Sequence, residues 1–292
     1  MNGVRVGRKT VSDASPTYLI AEIGINHNGD IEIAKKLIDE SVKAGFDAVK
    51  FQKRTVEIVF TKEELLRPRE SVFGDTNGDL KNGLEFGLAE YKEIAKHCKN
   101  LEIDWFASPW DVESLHFLED FGVVAHKVAS ACLTDKSLLE AMRKTGKPIF
   151  LSTGMSTINQ VKNAISLLDE KNTILMHAVS VYPARQEQLN LSWIDDLKSN
   201  FPSIPVGYSG HEAGVTPSLI AVAKYGAVCV ERHVTLDRSM WGSDQSASLE
   251  PQGMERVVKY IRSIPVVCGT GNKSILEDEK PILEKLRRVK DF

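Results

Sequence analysis

The chain has 292 residues, 42% hydrophobic and 26% charged, and its 37 Lys and Arg against 40 Asp and Glu leave a formal charge of −3. These proportions belong to an ordinary globular protein and exclude a collagen-like, coiled-coil or intrinsically disordered chain. Near-balanced charge gives no general attraction to nucleic acid or to an anionic membrane, so any anion must be held by cations placed in a site.

The opening stretch, MNGVRVGRKTVSDASP, lacks the apolar core of a signal peptide. The first β-rich run is Tyr18–Gly24, where Leu19, Ala21 and Ile23 share one face and turn Glu22 to the other. Ile31–Ala44 has helical spacing, with apolar Ile31, Ala34, Leu37, Ile38 and Val42, and Gly45 as its stop signal. The second strand, Ala48–Gln52, has Val49 and Phe51 on the face toward the helices and Lys50 and Gln52 on the inner one. Lys53–Gly87 is long for a strand-to-helix connection, and its tip, FGDTNGDLKNG, is polar and glycine-rich; it is expected to form a lid.

Beyond a helix near Leu88–Lys99 the alternation continues. Strands are predicted at Ile103–Ser108, Val123–Ser130, Pro148–Gly154, Thr173–Ser180, Pro205–His211 and Val228–Thr235. Helices are predicted at Asp111–Glu119, Lys136–Lys144, Ile158–Asp169, Ser192–Asn200, Pro217–Lys224 and Met254–Ile261. The charged run Lys285–Lys290 is expected to be a solvated helix end. Eight strands alternating with helices predict an α/β fold, a single-domain (β/α)8 TIM barrel. A doubly wound sheet would want G-x-G-x-x-G after the first strand, and GINHNGD is not that.

No apolar run reaches the roughly 18 residues of a membrane span. The cysteines, Cys98, Cys132, Cys229 and Cys268, form no C-x-x-C and no metal-spaced set, so a reducing cytoplasmic setting is expected. Cys132 follows a strand end but has no evident base to activate it, and is not taken as a nucleophile. His97 and His116 fall on helix faces, and His126 has the opposite parity to Lys127. Trp110 and Trp241 are either substrate walls or packing residues.

In such barrels the chemistry sits at the carboxyl ends of the strands. Here those ends carry Glu22, Lys50, Gln52, Ser108, Lys127, Ser130, Ser152, Ser209, His211, Glu231 and His233. Burying two ammonium groups in one mouth is costly without counter-charge. Glu22 can neutralise one lysine, which leaves the other asking for the carboxylate or phosphate of a substrate. His211 and His233 end neighbouring strands, with Glu231 two residues before the second. They fit an open divalent site for Mn, Fe, Co or Zn; a hydrogen-bonded pair of rim histidines is the alternative.

The ordered set AEIGINHNGD, VKFQ, SPWD, KVAS, LSTGMS, YPA, GYSGHE and ERHVTLDRSMWGSD resembles the sialic acid synthase (N-acetylneuraminate synthase) family, from about Ile20 to Pro251. The resemblance implies a transferase that condenses phosphoenolpyruvate with an open-chain N-acylated aminohexose. It implies that Lys50, Ser108, Lys127, Ser130, Ser152 and Ser209 hold phosphoenolpyruvate, that Gln52, Tyr182 and Asp244 touch the sugar, and that Ser180 belongs to the substrate-binding set. It makes Glu22, Lys50, Lys127 and Glu231 the catalytic groups and places a divalent metal on His211 and His233. Mn2+ is the expected ion, with Mg2+ or Co2+ as alternatives. A homodimer acting on small molecules, not on nucleic acid or membrane, is expected.

Three positions depart from the family pattern: Cys132 stands where a sugar-contacting glutamate is common, Ser180 where asparagine is, and Gly210 where aspartate precedes the metal histidine. Many members continue into an antifreeze-like C-terminal domain; a barrel without it is expected here. The alternatives are another phosphoenolpyruvate-dependent 3-deoxy-ulosonate synthase, whose G-P-R-[ST] signature is missing, a Schiff-base aldolase using Lys127, and a catalytically silent sugar-binding barrel.

Overall fold

The computed structural model describes residues 3–269 and 271–289. The chain parts into two units, Met1–Arg262 and Ser263–Phe292. That boundary falls inside the helix Pro251–Cys268 and not at a linker, which is why the sequence reads as one domain. None of the described residues of the second unit is buried; it holds a turn at Glu277–Glu279 and a short helix, Lys280–Leu286. Lys285 lies in the last turn of that helix, and Lys290, the end of the charged run, lies outside the described residues.

The first unit is built on eight parallel strands: β1 Tyr18–Gly24, β2 Ala48–Lys53, β3 Asp104–Pro109, β4 His126–Val128, β5 Ile149–Ser152, β6 Thr173–Ala178, β7 Val206–Gly210 and β8 Cys229–His233. They close into a barrel in chain order, with β8 paired to β1. The helices are α1 Ile31–Ala44, α2 Leu88–Asn100, α3 Val112–Glu119, α4 Lys136–Lys144, α5 Ile158–Leu167, α6 Trp193–Asn200, α7 Thr216–Ala223 and α8 Pro251–Cys268. This is the (β/α)8 barrel that the alternation predicts. The strands are buried along nearly their whole length because helices cover them outside and side chains fill them inside. Helix limits follow local chemistry: the Asp30 carboxylate accepts the backbone N–H groups of Glu32 and Ile33 at the start of α1. Gly45 ends it at φ +91°, a conformation that only glycine adopts cheaply.

The lower barrel interior is filled by stacked rings, Phe106 on Phe150 at 5.3 Å and Tyr18 on Phe150 at 6.2 Å. At the amino ends of the strands, beside Asp47 and Asp104, lies a hairpin too short to show a periodic signal, Val4–Val6 paired with Lys9–Val11, with Val4, Val6 and Val11 buried. Lys9 forms an ion pair with Asp47, whose carboxylate also accepts the Leu19 N–H at 2.7 Å and the Arg262 guanidinium at 2.7 and 2.8 Å.

The connection after β2 is not a plain loop. It folds as short helices Val56–Val59 and Lys62–Leu66, a ribbon of Pro68–Ser71 and Gly74–Thr76, and a helix Asn77–Leu84. The last begins with a capping box between Thr76 and Asp79. Phe73 on this segment meets Trp241 edge-to-face at 6.2 Å, so the segment touches the connection that follows β8.

Candidate active site

Strand register brings the polar ends together. Glu22 on β1 lies opposite Lys50 on β2 and His233 on β8. Ser209 on β7 faces Glu231 on β8, and Gln52 on β2 faces Ser108 on β3. Every expected site residue except Asp244 lines one cavity of about 220 Å3 at the carboxyl end of the barrel. Asp244 sits beside it, its carboxylate 3.6 Å from His233 Nδ1. A larger apolar cavity of about 640 Å3 opens next to it, lined by Ile158, Val161, Trp193 and Leu197 and sharing Met155 and Ser180. It contains no lysine or arginine and is not the centre of the charged chemistry.

The cations are paired more completely than the sequence suggests. Lys50 Nζ lies 2.7 Å from Glu22 Oε2 and donates to Ser108 Oγ at 3.0 Å. Lys127 Nζ donates to both oxygens of Glu231, at 2.8 and 3.0 Å, and Ser209 Oγ donates to the same carboxylate at 3.1 Å. The expectation of one uncompensated ammonium therefore fails: two lysines meet two glutamates, and excess charge is not what would draw an anion. The spare donors remain, since each ammonium carries three. Burial raises the Glu231 carboxyl, but Lys127 and Lys50 outweigh it and hold it down at about 2. Burial draws Lys127 below the usual lysine value against the pull of Glu231.

This depression has a consequence for acid stability. An unfolded glutamate titrates near 4.3. Glu231, held lower in the fold, contributes stability in full above that value and loses it as pH falls toward about 2. Urea unfolding between these limits is expected to show stability dropping with acid, and a shallower slope in Glu231→Gln.

The two imidazoles lie with ring centroids 5.4 Å apart. Burial, and then His233, push the His211 pKa down to about 3, so this ring is neutral. Its Nδ1–H donates to the Val179 carbonyl at 2.7 Å, which makes Nε2 the acceptor of the Tyr182 hydroxyl at 3.2 Å. His233 Nδ1 is buried without a hydrogen-bond partner. A neutral imidazole oriented through Nδ1–H by a carbonyl, with Nε2 left basic, beside a second ring with an orphaned nitrogen is a pair that suits a divalent transition ion. Among the described residues no three His, Cys, Asp or Glu are gathered to hold a metal, so further coordination positions would fall to water or substrate.

Ser130 and Ser180 approach each other over Gly154, where an added Cβ would lie 2.7 and 2.4 Å from their hydroxyls. Ser180 Oγ has no partner and is free to serve a ligand. At Gly210 a side chain would strike the Glu212 carboxylate at 2.6 Å. Cys132 does not line the cup; its thiol, pushed up to about 12 by burial, packs near the Trp110 carbonyl. Trp110 is a wall of the cavity, and the Arg54 guanidinium lies 4.5 Å from its ring.

Two features escaped the sequence. Arg54 and Glu85 form an ion pair at 3.0 Å just outside the cup. Behind the histidines, fully buried Arg232 pairs with Glu212 at 2.9 Å and donates to the carbonyls of Gly210, Glu212 and Gly214, shaping the loop that carries His211. A charged residue with outward parity between Glu231 and His233 was the available signal for the second.

Residues 37–273 match the NeuB family. The chain is 38% identical to the N-acetylneuraminate-9-phosphate synthase of Mus musculus, over 94% of this chain and 78% of that protein. It is 35% identical to the N,N'-diacetyllegionaminic acid synthase of Campylobacter jejuni, over 93% of this chain and 83% of that one. The crystal structure of the N-acetylneuraminic acid (sialic acid) synthetase of Leptospira borgpetersenii in complex with citrate superposes with a TM-score of 0.83 at 32% identity, over 98% of both chains. A match spanning most of the barrel, with the same strand ends gathered in one cup, makes this chain a member of the NeuB family.

Proposed function

We propose that the protein condenses phosphoenolpyruvate with an open-chain N-acylated amino sugar, in a reaction that needs a divalent metal and yields a nonulosonic acid and phosphate. The observation that carries this reading is the cup in which two lysines paired to glutamates share one cavity with two imidazoles 5.4 Å apart. A divalent ion on His211 and His233 would supply Lewis acidity toward the sugar carbonyl.

The remaining work falls to side chains. Lys50 and Lys127 turn their spare N–H donors to the carboxylate and phosphate of phosphoenolpyruvate, and the serine hydroxyls complete its shell. The methylene carbon of phosphoenolpyruvate attacks the aldehyde carbon and the carbonyl oxygen becomes the new hydroxyl. Water adds at the carbon bearing phosphate, and that C–O bond then breaks to release phosphate. Glu22, paired to Lys50 and hydrogen-bonded to Gln52, is placed to take the proton of that water. Holding both substrates in one small cavity removes the entropy of their encounter from the barrier.

The two named relatives differ in product, one phosphorylated and one diacetylated, so the acceptor is drawn from that class. The test is phosphate release from phosphoenolpyruvate with Mn2+ across N-acetylmannosamine, its terminal phosphate ester and diacetamido sugars. Release is expected with at least one acceptor, is expected to stop with a chelator, and to return with added Mn2+. Silence with every sugar would overturn the reading in favour of a catalytically silent barrel.

A further inference from the structure

The charged set of the cup continues past its rim. Glu22 Oε1 accepts from Gln52 Nε2 at 2.7 Å, while Glu22 Oε2 meets Lys50. Gln52 Oε1 in turn accepts from the Arg54 guanidinium. Arg54 is held by Glu85, its Nη1 3.0 Å from Oε1 and its backbone N–H donating to Oε2 at 3.0 Å. Lys53 donates to the same Oε2 at 3.3 Å. A line of alternating polarity thus runs Glu85, Arg54, Gln52, Glu22, Lys50. The Arg54 and Glu85 side chains are only 11% and 10% exposed, and neither lines the cavity. Glu85 caps the helix Asn77–Leu84, so the line starts in the segment that follows β2.

An amide side chain has two ends of nearly one shape and opposite hydrogen-bonding character. If Gln52 turned its oxygen to Glu22, two acceptors would face each other, and Glu22 would lose a donor. A guanidinium can only donate. Placed against Gln52, it accepts one orientation alone: oxygen to Arg54, NH2 to Glu22. We propose that Arg54 is a positioning residue, which fixes the amide of Gln52 and through it the Glu22 carboxylate, and so couples the seating of the Lys53–Gly87 segment to the reacting proton. This rests on the function proposed above. A plain structural role is the rival, in which Arg54 merely joins Glu85 to the Trp110 ring.

A double-mutant cycle separates the two. Phosphate release is measured for the wild type, Arg54→Ala, Gln52→Ala and the double variant, with thermal melts beside it. Arg54→Ala is expected to lower kcat by about 10- to 100-fold, as misplacement of a reacting group does, with the KM for phosphoenolpyruvate moving far less. In the Gln52→Ala background the same change is expected to add nothing beyond about twofold, because the group it acts through is gone. Arg54→Lys keeps the charge but cannot span Glu85 and Gln52 together, so it should share the loss while melting like the wild type. Free guanidinium ion should restore part of the activity of Arg54→Ala and none in the double variant. Multiplying losses in the cycle, or full activity in Arg54→Lys, would overturn the inference alone. A wild type silent with every acceptor would overturn the proposed function and the inference with it.

Discussion

Replacing Lys127 with methionine is expected to cut phosphate release by about 10³-fold or more, and to destabilise the barrel by about 3–5 kcal/mol. The two losses have separate causes. Activity falls because the ammonium is one of the donors turned toward the bound anion. Stability falls because Glu231, buried and hydrogen-bonded to Lys127 through both oxygens, keeps only Ser209 and a lysine 3.8 Å away. An uncompensated buried carboxylate costs far more than the intact pair contributes. The double variant Lys127→Met/Glu231→Leu should therefore regain much of the lost stability while staying inactive. Urea unfolding and the phosphate assay read the two effects independently. A single variant as stable as the wild type would mean that Glu231 finds another cation, and the pairing described here would be wrong.

His211→Ala is expected to abolish turnover and metal retention together. Lewis acidity is worth several kcal/mol to a carbonyl addition, so the rate should fall by about 10³-fold or more. Retention is checked by measuring Mn2+ bound after gel filtration, which does not depend on the assay. Tyr182→Phe removes only the hydroxyl 3.2 Å from His211 Nε2 and should leave the metal in place. Full activity of either His211→Ala or the chelated wild type would exclude the metal-dependent reading.

The legible part of this molecule was set by a period of two. On β2 a lysine and a glutamine alternate with Val49 and Phe51, and burial of the apolar pair against helices leaves the polar pair one direction to face. The same parity placed Glu22, Ser209, His211, Glu231 and His233. It could not say which charges would meet, because closure joins residues far apart: Lys127 and Glu231 are 104 positions distant. Arg54 and Glu85 escaped for a related reason, lying at opposite ends of a segment whose elements are three to eight residues long. Runs that short carry no periodicity, and the caps at Thr61 and Thr76 are local signals of helix starts without saying where the elements pack. The sequence predicts a fourth strand at Val123–Ser130, longer than the observed His126–Val128, because Val123 and Ala125 are buried like strand residues without joining the ladder.

The Asp47 carboxylate has a bearing on how the chain is made. It gathers Lys9 from the opening hairpin, the Leu19 amide of β1 and, 215 residues further on, Arg262 of α8. A chain emerging from the ribosome can make the first two contacts early, but the third partner arrives only when the whole barrel has been synthesised. The foot of the barrel thus waits, half assembled, for its last helix, and contacts of such long separation are slow to form. In that interval the aspartate is already in place as the marker of where the circle must close.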